Sequence, residues 1–116
     1  MCGIVGYVGS KPALDILLDG LRSLEYRGYD SAGVALVSSD GLTVVRRAGK
    51  VAELVAATEG GSVSSQTLGI GHTRWATCGP PTEQNAHPHI DCESRLAVVH
   101  NGIIENHVEL RAELES

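Results

Sequence analysis

The 116-residue sequence predicts an α+β fold, with antiparallel strand pairs and separate helices in one domain over residues 1–116. Its apolar strand runs come in neighbouring pairs and do not alternate regularly with helices, as a parallel βαβ fold would require. The Asp40-Gly41 pair between two such runs is typical of a tight hairpin turn. Because the chain has no Phe and a single Trp, its core must consist of aliphatic side chains, which favour strands packed under helices.

The first elements are a strand and an amphipathic helix. Alternating small and β-branched residues predict the strand from Gly3 to Val8. Ser10 is expected to cap the helix that follows, with Pro12 in its first turn. The buried face of this helix is predicted to consist of Leu14, Leu17, Leu18, Leu21 and Leu24.

The remaining elements are short apolar runs joined by polar connections. We expect strands at Val34–Val37, Leu42–Arg46, Thr67–Gly71 and Leu96–Val99, and loops at Glu25–Gly33 and Thr73–Pro88. A short helix is predicted around Val51, Leu54 and Val55 and is ended by Gly60-Gly61-Ser62. A last helix is predicted from Asn106 to the end of the chain.

Composition and charge exclude several classes of function. The net charge is -5 and Arg46-Arg47 is the sole adjacent basic pair, so we expect no nucleic-acid partner. The apolar opening segment is short and lacks a basic lead-in, so we expect neither a signal peptide nor a membrane partner. The three cysteines, Cys2, Cys78 and Cys92, show no CxxC spacing, which favours a reducing, cytoplasmic location.

Cys2 is the candidate nucleophile. Taken alone, a cysteine at a strand start is more typical of a small apolar residue. A small second residue permits removal of Met1, however, and a thiol and a free α-amine then share one residue. An α-amine titrates near about 8 and a thiol near about 8.5, so the amine can accept the thiol proton. We therefore expect Cys2 to supply both the nucleophile and the base.

The Asn101-Gly102 pair has two interpretations. Between Val98-Val99 and Ile103-Ile104 it is typical of a hairpin turn, and the local pattern favours this interpretation. The Asn101 amide and the Gly102 N–H can also donate hydrogen bonds to the oxyanion that forms when a thiolate attacks an amide carbonyl. The two interpretations are compatible.

Arg74, Trp75 and Thr77 are candidate substrate-binding residues in the polar segment after a strand. A surface Arg beside a partly buried Trp is the simpler interpretation of this pair. A guanidinium is also the natural bidentate partner of a carboxylate. In that case Trp75 covers the site when the loop closes, and Thr77 adds a hydrogen bond.

The histidines support two other hypotheses. A metal ion has a set of His and Cys side chains available, namely His87, His89, Cys92, His72, Cys78 and His100. Neither CxxC nor HExxH spacing is present, and we expect no metal and no cofactor. The second hypothesis is a thiol–imidazole pair, with His100 as the base for Cys2 or Cys78.

Five motifs occur in order along the chain: MCGIVGYVG, EYRGYDSAG, GHTRWAT, NAHPH and VVHNGIIEN. Together they resemble the glutaminase domain of the glutamine-fructose-6-phosphate aminotransferase family, also called glucosamine-6-phosphate synthases. The resemblance extends from Met1 to Ser116. It implies an N-terminal-nucleophile hydrolase fold, a four-layer αββα sandwich with antiparallel sheets. This chain is expected to be the N-terminal part of that sandwich, truncated at its C-terminal end.

The resemblance also implies roles for individual residues. Cys2 is expected to attack the side-chain amide of glutamine, form a glutamyl thioester and release ammonia, with its α-amine as the base. Asn101 and Gly102 are expected to form the oxyanion hole, and Arg27 to support the nucleophile. The residues expected to bind glutamine are Arg74, Thr77 and Trp75.

Two departures from the family's pattern bear on activity. Cys78 stands where family members usually carry His, and the downstream Asp that contacts the substrate α-amine is absent from residues 1–116. In the full-length protein we expect isomerase domains that use the ammonia to make glucosamine 6-phosphate from fructose 6-phosphate, and a homodimer. Two alternatives stay open: another class II amidotransferase, serving purine or asparagine synthesis, and a non-catalytic fragment that lacks part of the site.

Overall fold

The computed structural model describes residues 2–28, 30–39, 41–59, 65–75 and 79–116 and has the predicted α+β architecture. The strands are β1 (Gly3–Val8), β2 (Ser31–Ser38), β3 (Gly41–Ala48), β4 (Leu68–Arg74), β5 (His89–Ile90) and β6 (Ala97–Val98). The helices are α1 (Ala13–Leu24), α2 (Val51–Thr58) and α3 (His107–Glu115). Short 3₁₀ turns lie at Glu25–Arg27 and Glu83–Asn85.

Four strands form one antiparallel sheet in the order β1-β4-β2-β3, and β5 and β6 form a separate antiparallel pair. β1 lies at the edge of the large sheet, with Gly3 opposite Thr73 and Ile4 opposite His72. This register brings Cys2, which precedes β1, next to Arg74 at the end of β4. The N-terminal segment and the end of the fourth strand therefore meet at one corner of the sheet.

α1 packs its leucine face on the large sheet, as its spacing predicts. Leu17 and Leu21 are fully buried, and burying one such side chain stabilises a fold by about 1.5–3 kcal/mol. They approach the sheet closely because Gly69 and Gly71 of β4 have no side chains; a Cβ on Gly69 would lie 2.8 Å from Leu17 Cδ1. The same core includes Ala32, Val34, Leu36, Val51 and Leu54.

The start of α1 differs from the prediction. The helix begins at Ala13 with Pro12 at its N-cap and no side-chain cap, so Ser10 does not cap it. The Ala13 backbone N–H instead donates to the carbonyl oxygen of Gln66 at 2.7 Å. A contact with the segment before β4 replaces the local cap, and no local pattern could indicate it.

β2 and β4 extend further than predicted, and both extensions border the candidate site. β2 begins at Ser31, inside the expected loop Glu25–Gly33, and β4 continues to Arg74, inside the expected loop Thr73–Pro88. Ser31 pairs with Arg74 on one side and with Ala48 on the other. Pairing between distant segments, and not local propensity, makes these residues part of the sheet.

The hairpin interpretation of Asn101-Gly102 is wrong. The strand before this pair is only Ala97–Val98, and its partner is His89–Ile90, which the sequence did not predict as a strand. The two residues after Gly102 are not in a strand. The pair forms a bend that brings Asn101 to Cys2.

The two helices expected after β3 are confirmed. α2 ends at Thr58, and the predicted terminator Gly60-Gly61-Ser62 lies outside the described residues. α3 is exposed along its whole length. In the part of the chain that the structure describes, every helix is too short or too polar to cross a lipid bilayer.

Candidate active site

Cys2 lies at the corner where β1 meets the end of β4. Its sulfur accepts a hydrogen bond from the backbone N–H of Trp75, with 3.4 Å between N and Sγ. The Trp75 carbonyl oxygen lies 3.9 Å from the same sulfur. The side chain is half-buried and also lines a cleft. The backbone of one residue thus holds the sulfur while one side of it stays accessible, as a nucleophile requires.

Asn101 contacts Cys2 from the bend after β6. Its Nδ2 donates to the backbone carbonyl oxygen of Cys2 at 3.2 Å, and its Oδ1 lies 2.8 Å from Nε2 of His72. Gly102 follows with a φ of 150°, a backbone conformation that favours glycine, and lines the same cleft as Cys2. An amide donor bonded to the Cys2 backbone and a glycine at the same cleft are groups from which an oxyanion hole can be built.

The cleft beside Cys2 has a volume of about 150 Å³, below the roughly 300–1,000 Å³ of pockets for drug-sized ligands. It is lined by Cys2, Arg74, Trp75, Asn85, His87, His89, His100 and Gly102. Arg74 is the one member of this set with a permanent charge, and no carboxylate belongs to the set. The cleft therefore suits a molecule of amino-acid size that carries a carboxylate.

Arg74 is buried, contrary to the interpretation of a surface loop residue. It ends β4 and is only 7% exposed. Its guanidinium donates to the carbonyl oxygen of Pro80 at 3.0 Å and to that of Gly79 at 3.3 Å. These bonds tie residues 79 and 80 to the wall of the cleft. Trp75, the next residue, is 42% exposed at the same cleft.

Arg27 is not among the described residues that line the cleft. It belongs to the 3₁₀ turn after α1, and the next residue, Gly28, packs on the backbone where Arg74 joins Trp75. A Cβ on Gly28 would lie 2.6 Å from the carbonyl carbon of Arg74. This turn therefore supports the backbone that contacts the Cys2 sulfur.

Three histidine rings contact one another in a row beside the cleft. His72 is fully buried in β4 and stacks on His87 with 4.2 Å between ring centroids, and His87 lies 4.3 Å from His89. Burial lowers the pKa of His72. Burial, with the nearby His72 and His89, lowers the pKa of His87 to about 3. These two rings are neutral at physiological pH, so they act as packing and hydrogen-bonding groups.

The contacts do not support the alternative roles of the histidines. Within residues 2–28, 30–39, 41–59, 65–75 and 79–116, no three His, Cys, Asp or Glu side chains are grouped so that they could hold a metal ion. The Cys2 sulfur has backbone atoms of Trp75 as its hydrogen-bond partners. His100 donates its backbone N–H to Nδ1 of His87 at 3.3 Å. Cys78 lies outside the described residues.

The structure brings together five of the predicted site residues, namely Cys2, Arg74, Trp75, Asn101 and Gly102. Thr77 lies outside the described residues. His72 and Asn85 were not assigned to this site from the sequence. His72 has no local signal, because its bond to Asn101 joins residues 29 positions apart.

Several curated proteins similar to this chain share one name. Glutamine--fructose-6-phosphate aminotransferase [isomerizing] from Mycolicibacterium smegmatis is 59% identical over 123 aligned residues that include the whole chain. The proteins of that name from Thermus thermophilus and Symbiobacterium thermophilum are 59% and 60% identical over 116 and 115 residues. The chain spans 19% of the length of each of these relatives. No protein-family model matches the chain.

Two solved structures have a similar fold. Glutamine phosphoribosylpyrophosphate amidotransferase from B. subtilis, complexed with ADP and GMP, superposes with a TM-score of 0.77 at 29% identity. A structure described as the allosteric regulatory enzyme of purine biosynthesis superposes with a TM-score of 0.80 at 30% identity. Each match covers 99% of this chain and 25% of the other. The similarity therefore includes both ends of the site, from Cys2 to Gly102.

Proposed function

Because this chain belongs to the N-terminal-nucleophile glutamine amidotransferases, and matches the N-terminal region of glutamine-fructose-6-phosphate aminotransferases, we propose that it releases ammonia from glutamine through Cys2. The proposal rests on a contact between two residues that are 99 positions apart in the sequence. Asn101 Nδ2 lies 3.2 Å from the Cys2 carbonyl oxygen, and Gly102 lines the same cleft as the thiol. A nucleophile and two potential oxyanion donors thus adjoin a space of amino-acid size.

The proposed reaction has two stages. After removal of Met1, the α-amine of Cys2 accepts the thiol proton, and Sγ attacks the side-chain amide carbon of glutamine. The carbon–nitrogen bond breaks, the nitrogen takes the proton from the α-ammonium, and ammonia leaves a glutamyl thioester. The amine then takes a proton from water as the water adds to the thioester. The carbon–sulfur bond breaks, giving glutamate, and the thiol regains its proton.

Negative charge develops on the amide oxygen in both stages. We assign Asn101 Nδ2 and the Gly102 N–H as the donors that stabilise it. The bond from Asn101 to the Cys2 carbonyl supports this assignment, because it holds the amide beside the nucleophile without substrate. Donors that are already in place cost little reorganisation during the reaction, and losing one such donor typically lowers kcat about 10²–10³-fold.

Arg74 is the proposed partner of the glutamine α-carboxylate. It supplies the permanent positive charge of the cleft, and a guanidinium can bind a carboxylate through two parallel hydrogen bonds. We propose that Thr77 adds a further bond and that Trp75 covers the bound substrate. Arg27 is proposed to act indirectly, through the packing of its turn on the Arg74–Trp75 backbone.

We also propose that the complete gene product transfers the ammonia to fructose 6-phosphate in isomerase domains. The names of the similar curated proteins include fructose 6-phosphate, which supports this acceptor. The chain spans 19% of their length, so the proposed isomerase domains would lie in the rest of the gene product. Their identity of about 59% exceeds the 29–30% of the two purine-pathway structures, which favours a sugar phosphate over a purine precursor as acceptor. A cytoplasmic location and a homodimer complete the proposal; fractionation and the mass in solution test them.

Substitution of the nucleophile tests the proposed function. We expect Cys2→Ser to abolish ammonia release from glutamine in the complete gene product, because a hydroxyl at this position is a much weaker nucleophile than a thiol. Cys92→Ser is the matched control, since Cys92 is an exposed cysteine away from the cleft, and it should leave the rate unchanged. Intact mass should show that Met1 is absent. Undiminished ammonia release in Cys2→Ser, or an active protein that retains Met1, would refute the mechanism.

A further inference from the structure

We propose that His72 is a positioning residue for this reaction, which holds the Asn101 side chain in the orientation that directs Nδ2 toward the reacting oxygen. The proposal rests on the glutaminase function proposed above and adds a residue to its site. Its basis is a chain of two hydrogen bonds: His72 Nε2 to Asn101 Oδ1 at 2.8 Å, and Asn101 Nδ2 to the Cys2 carbonyl oxygen at 3.2 Å.

The chemistry of these atoms determines which of them donate. The Cys2 carbonyl oxygen can only accept, so the Asn101 atom that faces it must be the nitrogen. The Asn101 oxygen then faces His72, and because this oxygen can also only accept, Nε2 must carry a proton. A neutral His72 is therefore the Nε2–H tautomer. The opposite tautomer would set two acceptors against each other and favour rotation of the amide away from its useful orientation.

Burial and rigidity make His72 suited to this role. It is 0% exposed, and β4 is flanked at this point by Ile4 of β1 and Gly33 of β2. Its other ring nitrogen, Nδ1, is buried and has no hydrogen-bond partner among the described residues, so Asn101 is the side-chain partner of the ring. Asn101 lies in an exposed irregular segment. A rigid sheet residue thus orients a side chain that its own backbone does not restrain.

The stacked ring of His87 holds the imidazole plane. The two rings lie 4.2 Å apart with 22° between their planes, and His87 also lines the cleft. This contact restricts rotation of the His72 ring, so that Nε2 stays aimed at Asn101. The effect is one of orientation, since His72 is not among the residues that line the cleft.

The experiment compares variants that keep or remove the Nε2–H donor in the complete gene product. His72→Leu removes the donor; His72→Gln places an amide N–H near the same point. We expect kcat for ammonia release to fall on the order of 100-fold in H72L, as for a catalytic group displaced by about 1 Å, with KM for glutamine unchanged. H72Q should recover most of this loss. Cys2 alkylation by iodoacetamide should proceed at the same rate in all variants.

A double-mutant cycle separates positioning from general support of the fold. If His72 acts through Asn101, H72L adds nothing to the loss already caused by Asn101→Ala, whereas independent effects multiply. Multiplying effects, equal losses in H72L and H72Q, or an unchanged kcat in H72L would overturn the proposal. His72→Asn, which is polar but too short to reach Asn101, replaces H72L in the cycle if the leucine variant does not fold. The C2S variant tests the glutaminase function independently of His72. If that function is wrong, ammonia release by C2S is undiminished.

Discussion

Gly33→Ala should damage both stability and activity, although the residue lies in β2 outside the cleft. A Cβ at this position would overlap the backbone carbonyl oxygen of His87 and lie 3.0 Å from Cγ of Arg46. The Arg46 side chain is flexible and can move by itself, whereas the carbonyl is part of the backbone and moves only with its segment. β2 is held by β3 and β4 on its two sides, so the segment that carries His87 must shift away from the sheet.

The size of the effect follows from this overlap. Forcing an extra carbon into a packed interior typically costs about 1–3 kcal/mol of the free energy of unfolding. The shifted segment also carries two residues that line the cleft, His87 and His89. Displacement of site groups by about 1 Å can lower a rate about 100-fold, so kcat/KM for glutamine should fall by one to two orders of magnitude, roughly 10–100-fold.

Gly6→Ala is the matched control, because Gly6 also lies in a strand of the same sheet and an added Cβ would meet no atom within 4 Å. Its stability should stay equal or rise by up to about 1 kcal/mol, through the smaller freedom of the unfolded chain. Chemical denaturation measures the stability of both variants, and ammonia release measures their activity. If G33A matches G6A in both assays, the packing of the His87 segment on β2 is wrong, and so is the inferred geometry of that cleft wall.

Two further predictions concern the charged and titratable groups of the cleft. Arg74→Lys should raise KM for glutamine about 10–100-fold, because an ammonium cannot bind a carboxylate through two parallel hydrogen bonds. This increase corresponds to about 1.5–3 kcal/mol, the usual contribution of a hydrogen bond to a charged group. An unchanged KM would exclude Arg74 as the carboxylate partner. His87 has a folded-state pKa of about 3 against an ordinary 6.5, so its contribution to stability is complete above pH 6.5 and is lost as the pH falls toward 3. The thermal midpoint should therefore drop less between pH 7 and about pH 4 in His87→Gln than in the unmutated protein. Equal drops would contradict a half-buried ring that is neutral in the folded state.

Local patterns predicted the elements whose own residues determine them. The leucine spacing of α1 predicted its buried face, and Leu17 and Leu21 are indeed fully buried. The antiparallel strand pair expected on either side of Asp40-Gly41 is confirmed by the pairing of β2 with β3 from Ser31–Ala48 to Ser38–Gly41, whereas Asp40 itself lies outside the described residues. In these cases periodicity or turn chemistry lies within a few residues, so a linear pattern carries the information.

Long-range contacts explain the misses. Ser31 and Arg74 belong to strands because they pair with each other, and neither has a strong strand propensity. Asn101-Gly102 has the local signature of a hairpin, yet the bond from Asn101 to Cys2 and the absence of a following strand in the described segment give it another conformation. The proposed nucleophile and oxyanion residues were predicted from motif types. The groups that contact them depend on strand register, which a local pattern does not contain.

The pairing of β1 with β4 also has a consequence for biosynthesis. About sixty residues separate Val8 from Leu68, and at about 5–20 residues per second the ribosome needs about 3–12 s to make them. Throughout that interval the first strand lacks β4, its neighbour in the sheet, and the nascent terminus is accessible from solution. Once β4 emerges and the Trp75 N–H bonds to the sulfur, the same terminus becomes part of a folded corner. The removal of Met1 proposed above is therefore expected before this contact forms.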